Sequence, residues 1–203
     1  MNKSKEIGGS KLSKREQLRA ERRRKSMFWN VILLGGGALV IGAIVWYVFA
    51  NARPGALPGE QLVADEGRGH VDIGTSLTFG HYPPSSGTHY SSPAAWGVYT
   101  ETAPVDEGFF VHNLEHGGVV FLYNCPAACP ELEKQLKDFY DSAPPDATFN
   151  ERKILITPYD ATKMSAPIVA LAWGHQLDMP QFDANTMLKW YKRFVNQGPE
   201  LVQ

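Results

Sequence analysis

Residues 28–50, FWNVILLGGGALVIGAIVWYVFA, are a charge-free apolar run set directly behind a strongly basic head. No other feature restricts the chain's architecture so severely. As a helix rising 1.5 Å per residue the run reaches about 34 Å, enough to cross a hydrocarbon core of about 30 Å. A helix also satisfies every backbone N–H and C=O internally, as a lipid-exposed span requires. Trp29 at one edge and Trp46 with Tyr47 at the other stand where interfacial aromatic anchors belong. The head, residues 1–27, carries ten Lys or Arg against three Glu, a net charge of +7. The positive-inside rule therefore predicts a cytoplasmic N-terminus and an extracytoplasmic C-terminal part. Contact with anionic lipid accounts for a basic run beside a span, so it is read as membrane-facing rather than as a nucleic-acid patch. Ala38 and Gly42 form a small-xxx-small pair that would let two spans approach as a homodimer. Ala50-Asn51-Ala52 offers a cleavage site, the alternative being a removed signal peptide. The run exceeds the 7–15 residues of a signal core, which favours an uncleaved anchor.

Beyond the span the charge reverses. The chain holds 20 basic and 21 acidic side chains, of which ten basic and eighteen acidic follow residue 50, a net of −8. Residues 51–60, NARPGALPGE, read as a linker, and residues 61–203 as one domain of ordinary size for a single core. Its first half, to about residue 110, is rich in turn formers and aromatics, and predicts loops and short strands. The second half is regular. Val119–Tyr123, Ile154–Ile156 and Ile168–Trp173 are short apolar strand candidates. A helix starting at Pro130 repeats Leu132, Leu136, Phe139 and Tyr140 on one face. A last helix, capped by Asp183, carries Met187, Trp190, Tyr191, Phe194 and Val195 and stops before Gly198-Pro199. The expected class is α+β: a small mixed sheet with two covering helices and a loop-rich N-terminal half.

The chemistry-bearing residues lie in this exported part, which contains all six histidines. His112 and His116 in HNLEH have the H-x-x-E-H order of inverted zinc-peptidase motifs, in which both imidazoles share a helix face. Phe109-Phe110-Val111 before the motif and Gly117-Gly118 after it suit an extended segment or turn better. In a strand His112 and His116 would still share a face, with Glu115 on the other. Two imidazoles form a metal nucleus needing a third ligand, for which His89 is the first choice and His81 the second. The competing reading makes both histidines hydrogen-bonded structural residues. Cys125 and Cys129, the only cysteines, sit where a strand ends and a helix opens. In an oxidising compartment they would pair as a disulfide. A soft-metal or redox site, or two free thiols, are the other options.

Strand, then C-P-x-x-C-P, then an acidic helix, over Val119 to Phe139, resembles the copper site of Sco-type copper chaperones, which are single-span, exported and thioredoxin-like. That resemblance implies His175 as a distant copper ligand. A second resemblance covers nearly the whole exported part. PPSSGTHY, AWGVY, VHNLEHGGVVFLYNC, ILITPY, IVALAWG and a terminal helix running to QGPE follow one another as in a prokaryotic, usually membrane-tethered family known as domain of unknown function 3105. It implies His89, His112, Glu115 and His116 as signature positions.

Three functional expectations follow. The first is a membrane-tethered, extracytoplasmic metal-binding domain using His89, His112, His116 and Glu115, with copper favoured over zinc. The second is a zinc-dependent hydrolase with Glu115 as general base, which requires that carboxylate on the same side as His112 and His116. The third is a disulfide-stapled scaffold or partner-binding ectodomain with no cofactor, in which Trp96, Tyr99, Phe109 and Phe110 are core or interface aromatics. Ser85, Ser86 and Ser91 lie in turns without a G-x-S-x-G elbow, so no serine nucleophile is read. Membrane lipid is the partner the sequence implies, and nothing in it identifies a protein partner.

Overall fold

The computed structural model describes residues 14–50, 54–125 and 128–202. Residues 1–13 of the basic head and 51–53 of the linker, with part of the candidate cleavage site, lie outside them. The chain divides into two units, Met1–Ala52 and Arg53–Gln203.

Among the described residues the first unit contains one helix, α1 (Lys14–Ala50). Its stretch Glu21–Phe49 is long and apolar enough to cross a membrane, a property that single-pass anchors and signal sequences share. Leu33, Leu34, Leu39 and Phe49 are exposed along it, as lipid-facing side chains would be.

The second unit is built on a mixed six-stranded sheet in the order β1-β8-β7-β5-β6-β4. The strands are β1 (Glu60–Leu62), β4 (Gly97–Val98), β5 (Val119–Tyr123), β6 (Ile154–Pro158), β7 (Ile168–Ala172) and β8 (His175–Met179). β5 and β6 run parallel, in register Phe121 to Ile156, joined by the crossover helix α3 (Pro130–Ser142). Parallel neighbours need such a connection because no tight turn can join them. β7 and β8 close antiparallel onto β5, and β1 adds to the outer edge. The expected strand at 168–173 is therefore half of a hairpin. Ala172 pairs His175, and Trp173-Gly174 make the two-residue turn, with Gly174 at φ +67°. Residues 54–60, within the expected linker, belong to this unit. Leu57 packs on its core, and Arg193 donates to the Pro54 carbonyl at 3.0 Å and to Glu60 at 3.0 Å.

Side chains alternate across the sheet, so β5 has two different neighbourhoods. Val119, Phe121 and Tyr123 face a core completed by Leu136 and Phe139 of α3 and by Met187, Trp190, Tyr191 and Phe194 of α4 (Ala184–Phe194). The Asp183 carboxylate caps α4 by accepting from the Asn185 and Thr186 amides. Val195 lies just past the last turn, half-buried on the same core. Val120 and Leu122 face the opposite way, against a second core that includes Phe110, Val111 and Leu114.

Those last three residues belong to α2 (Glu107–Glu115), which corrects the expectation of an extended HNLEH segment. The run Phe109-Phe110-Val111 has the look of a strand, yet Phe110, Val111 and Leu114 recur at helical spacing and seat one stripe on the sheet. The Asp106 carbonyl accepts from the Phe109 and Phe110 amides, opening the helix. Gly117 at φ +73° ends it, the left-handed conformation in which a helix terminates most easily. Among the described residues this unit thus has three α-helices, one on the second face and two on the first.

Candidate metal centre

Two short elements from the loop-rich half complete the site. β2 (His70–Val71) pairs parallel with β3 (His89–Tyr90), which sets His70 directly beside His89. Main-chain bonds from Gly87 to Gly67, His89 to Gly69 and Ser91 to Val71 fix that register. α2 lies against β3 and presents His112 and Glu115, three residues apart and so on one helix face. One nitrogen each from His70, His89 and His112 and one Glu115 oxygen lie within 4.8 Å of one another. The Glu115 carboxylate stands 3.0 Å from His89 Nε2 and 3.1 Å from His70 Nε2. Donors around a tetrahedral zinc would be separated by about 3.3 Å, which the two Glu115 spacings already approach.

The buried imidazoles are oriented from behind. His89 Nδ1 is 2.7 Å from the Gly87 carbonyl, and His112 Nδ1 is 2.6 Å from the Tyr90 carbonyl. A carbonyl only accepts, so each Nδ1 carries the hydrogen and, in the neutral ring, each Nε2 keeps its lone pair. Anchoring of this kind holds metal-binding histidines to one tautomer and one direction. His89 and Glu115 are essentially inaccessible, while His70 closes the exposed side with 42% of its side chain open. Burial pushes the His112 pKa below its ordinary value, and the neighbouring His89 and His70 push the same way. The Tyr90 hydrogen bond and Glu115 oppose them without reversing the direction. The favoured species is the neutral ring, the form that binds metal.

His116 follows one turn after His112, with its Nε2 3.0 Å from His112 Nε2. It is also drawn below its ordinary pKa, first by burial and then by His112. The C-terminal segment returns to this end of α2. The Asn196 amide donates to the Gly117 carbonyl at 2.8 Å and the Glu200 amide to the Glu115 carbonyl at 3.0 Å. Gly198 makes the approach feasible, because a Cβ there would stand 2.2 Å from the Glu115 carbonyl oxygen. Glu200 Oε2 ends 3.8 Å from His116 Nε2. Glu115, His116 and Glu200 form a second group of potential donors. Lys153, fully buried, donates to the His116 carbonyl at 3.1 Å and also to the Val202 carbonyl, placing positive charge where the α2 dipole is negative.

Of the residues singled out by sequence, the structure brings His89, His112 and Glu115 into one group and places His116 in the adjoining one. His81 is elsewhere, 2.9 Å from Gln176 Oε1. His175 lies 3.3 Å from Glu60, and Cys125 and Cys129 form a disulfide. Among the described residues neither cysteine nor His175 joins a group able to hold a metal. Ser85 and Ser86 are buried, with Ser86 accepting from the Glu66 amide. Phe110 is core, and Trp96, Tyr99 and Phe109 pack half-buried around it. His70 and Glu200 were not anticipated. His70 has no motif around it, and Glu200 stood only within the QGPE ending that carried the family resemblance.

The arrangement can hold a cation through three imidazoles and a carboxylate, a set suited to zinc, copper(II), nickel or iron. No curated protein and no solved structure matches the chain. The family described as protein of unknown function, DUF3105, matches residues 70–203, a stretch that begins on His70 and contains every donor just described. The chain belongs to that family.

Proposed function

We propose that this protein is a membrane-anchored, extracytoplasmic metal-binding protein whose folded unit takes a divalent transition metal at His70, His89, His112 and Glu115. One observation carries the reading. His89 gives its Nδ1 hydrogen to a carbonyl, which turns a lone pair toward the Glu115 carboxylate at 3.0 Å, in a place water barely reaches. Two acceptors facing each other in a dry interior require a cation between them. A proton or a metal ion meets that need, and the ring nitrogens of His112 and His70 within 4.8 Å favour the metal.

Copper remains the favoured ion, now as copper(II). The cysteines are joined to each other, so the thiolate pair that would select copper(I) is not on offer. At equal availability the imidazole–carboxylate set binds copper(II) more tightly than zinc. The orientation follows from the basic head, with residues 1–27 cytoplasmic and the metal unit outside. The hydrolase reading gains from the helix, which returns Glu115 to the side of His112. It loses because Glu115 stands among the donors themselves, within 3.1 Å of two imidazoles, rather than back from them holding a water.

The test is thermal melting of the full chain in detergent, stripped with chelator and then reloaded with copper(II) or zinc, beside His89→Ala. Reloading to a hundredfold excess over Kd should stabilise the parent by about 2.7 kcal/mol and His89→Ala by markedly less. Identical melting of stripped and loaded parent would mean that His89 and Glu115 are a protonated pair inside a scaffold.

A further inference from the structure

The second donor group shares a residue with the first. Glu115 belongs to both, and a carboxylate with two oxygens can serve two cations at once. We propose that Glu115, His116 and Glu200 hold a second divalent cation beside the first, with the Glu115 carboxylate bridging the pair. This rests on the metal reading above and extends it from a mononuclear to a dinuclear centre.

Three observations converge on it. His112 and His116 lie one turn apart with their Nε2 atoms 3.0 Å from each other, one in the first group and the other in the second. Adjacent ions in two-metal sites sit about 3.5–4 Å apart, and donors on successive turns of one helix supply that spacing. Glu200 is not a loose terminal side chain. Its own amide is bonded to the Glu115 carbonyl, and Gly198 lets the backbone lie flat against the helix end, so Glu200 is delivered to His116 by main-chain geometry. The two groups also differ in character. The first offers three imidazoles around a fully buried carboxylate, and the second offers two carboxylates and one imidazole, with Glu200 42% and His116 16% exposed. Carboxylate-rich, partly open positions suit zinc or manganese and keep room for water. Three protein donors leave at least one coordination place for that water, the arrangement that acidifies it toward a nucleophile at neutral pH. Lys153 lies behind His116, bonded to backbone carbonyls, and its charge is opposed by Asp146 and Glu151.

Zinc alone is the probe. The chelator-stripped full chain in detergent is titrated by calorimetry, with elemental analysis after removal of free ion, beside Glu200→Gln and His89→Ala. The parent should bind about two zinc per chain. Glu200→Gln should bind about one, with the tighter phase unchanged and the weaker one lost or weakened at least about tenfold, equivalent to 1.4 kcal/mol. A parent that binds one zinc, with an isotherm indifferent to Glu200→Gln, overturns the second position and leaves the first standing. A parent that binds none overturns both. Glu200 is solvent-facing, so circular dichroism of that variant should match the parent and separate lost binding from lost folding.

Discussion

The two faces of the central sheet are covered on opposite principles. On one, Phe121, Tyr123 and Ile156 meet Leu136, Phe139, Trp190 and Phe194, an apolar contact made mainly by α3 and α4. On the other, α2 seats Phe110, Val111 and Leu114 against Val120, Leu122 and Leu155, and then turns His112 and Glu115 toward β2 and β3. The first face is stabilised chiefly by burial, at about 1.5–3 kcal/mol for each large side chain. The second buries a carboxylate among imidazoles, which costs stability until a cation compensates it. Fold stability and metal affinity should therefore be separable by face.

Trp190→Ala should give the largest effect. This side chain is fully buried on the apolar face, and its loss should cost about 3–5 kcal/mol in urea melts, equally with and without chelator. A chelator-dependent loss would break the separation of faces. Glu115→Gln should behave in the opposite way. With metal stripped, it should change stability little, since it removes a buried charge. With metal at a hundredfold excess over Kd, it should forfeit the roughly 2.7 kcal/mol of metal-linked stabilisation. The double change Cys125→Ser, Cys129→Ser should cost about 2 kcal/mol, the closure entropy of so short a loop, with zinc affinity within twofold of the parent. A collapse of zinc affinity would move the site to the cysteines.

The smallest effect concerns pH, and it lies in the loop that leads into β6. Asp146 accepts from the amides of Thr148, Phe149 and Glu151 and from the Asn196 side chain. Burial pushes its pKa up, and these bonds together outweigh burial and hold it below the ordinary value. Its contribution is therefore complete above the unfolded value of about 3.9 and disappears as pH falls through the lower native one. Asp146→Asn should lower stability at pH 7 and flatten the acid limb of the stability curve. An unchanged acid limb would show that Asp146 plays no part in it.

Legibility in the sequence followed the same division. Strands of uninterrupted apolar residues and helices with a single stripe announce themselves locally, so β5, β6, β7, α3 and α4 are visible in residues 119–195. β8 was not, because His175, Gln176 and Asp178 give HQLDM no apolar run, and only the Trp173-Gly174 turn marks the hairpin. α2 is hard to read locally because its run Phe109-Phe110-Val111 fits a strand equally well. The consequence reached the site. In a strand Glu115 would oppose His112, whereas in the helix it joins it. His89 and His112 stood out through dense polar motifs. His70 became a neighbour only through a parallel pairing with a segment nineteen positions away, a contact that no local pattern encodes. Glu200 depends on a chain reversal that Gly198 permits, and the reversal rather than any motif makes it part of the site.

The most direct measurement is a crystal structure of the zinc-loaded protein with anomalous data at the zinc edge. The expected result is an ion about 2.0–2.2 Å from Nε2 of His70, His89 and His112 and from a Glu115 oxygen, with both Nδ1 atoms still on the Gly87 and Tyr90 carbonyls. Fully loaded crystals with no ion at these four donors, or with a metal-free His89 bonded directly to Glu115, would contradict the account.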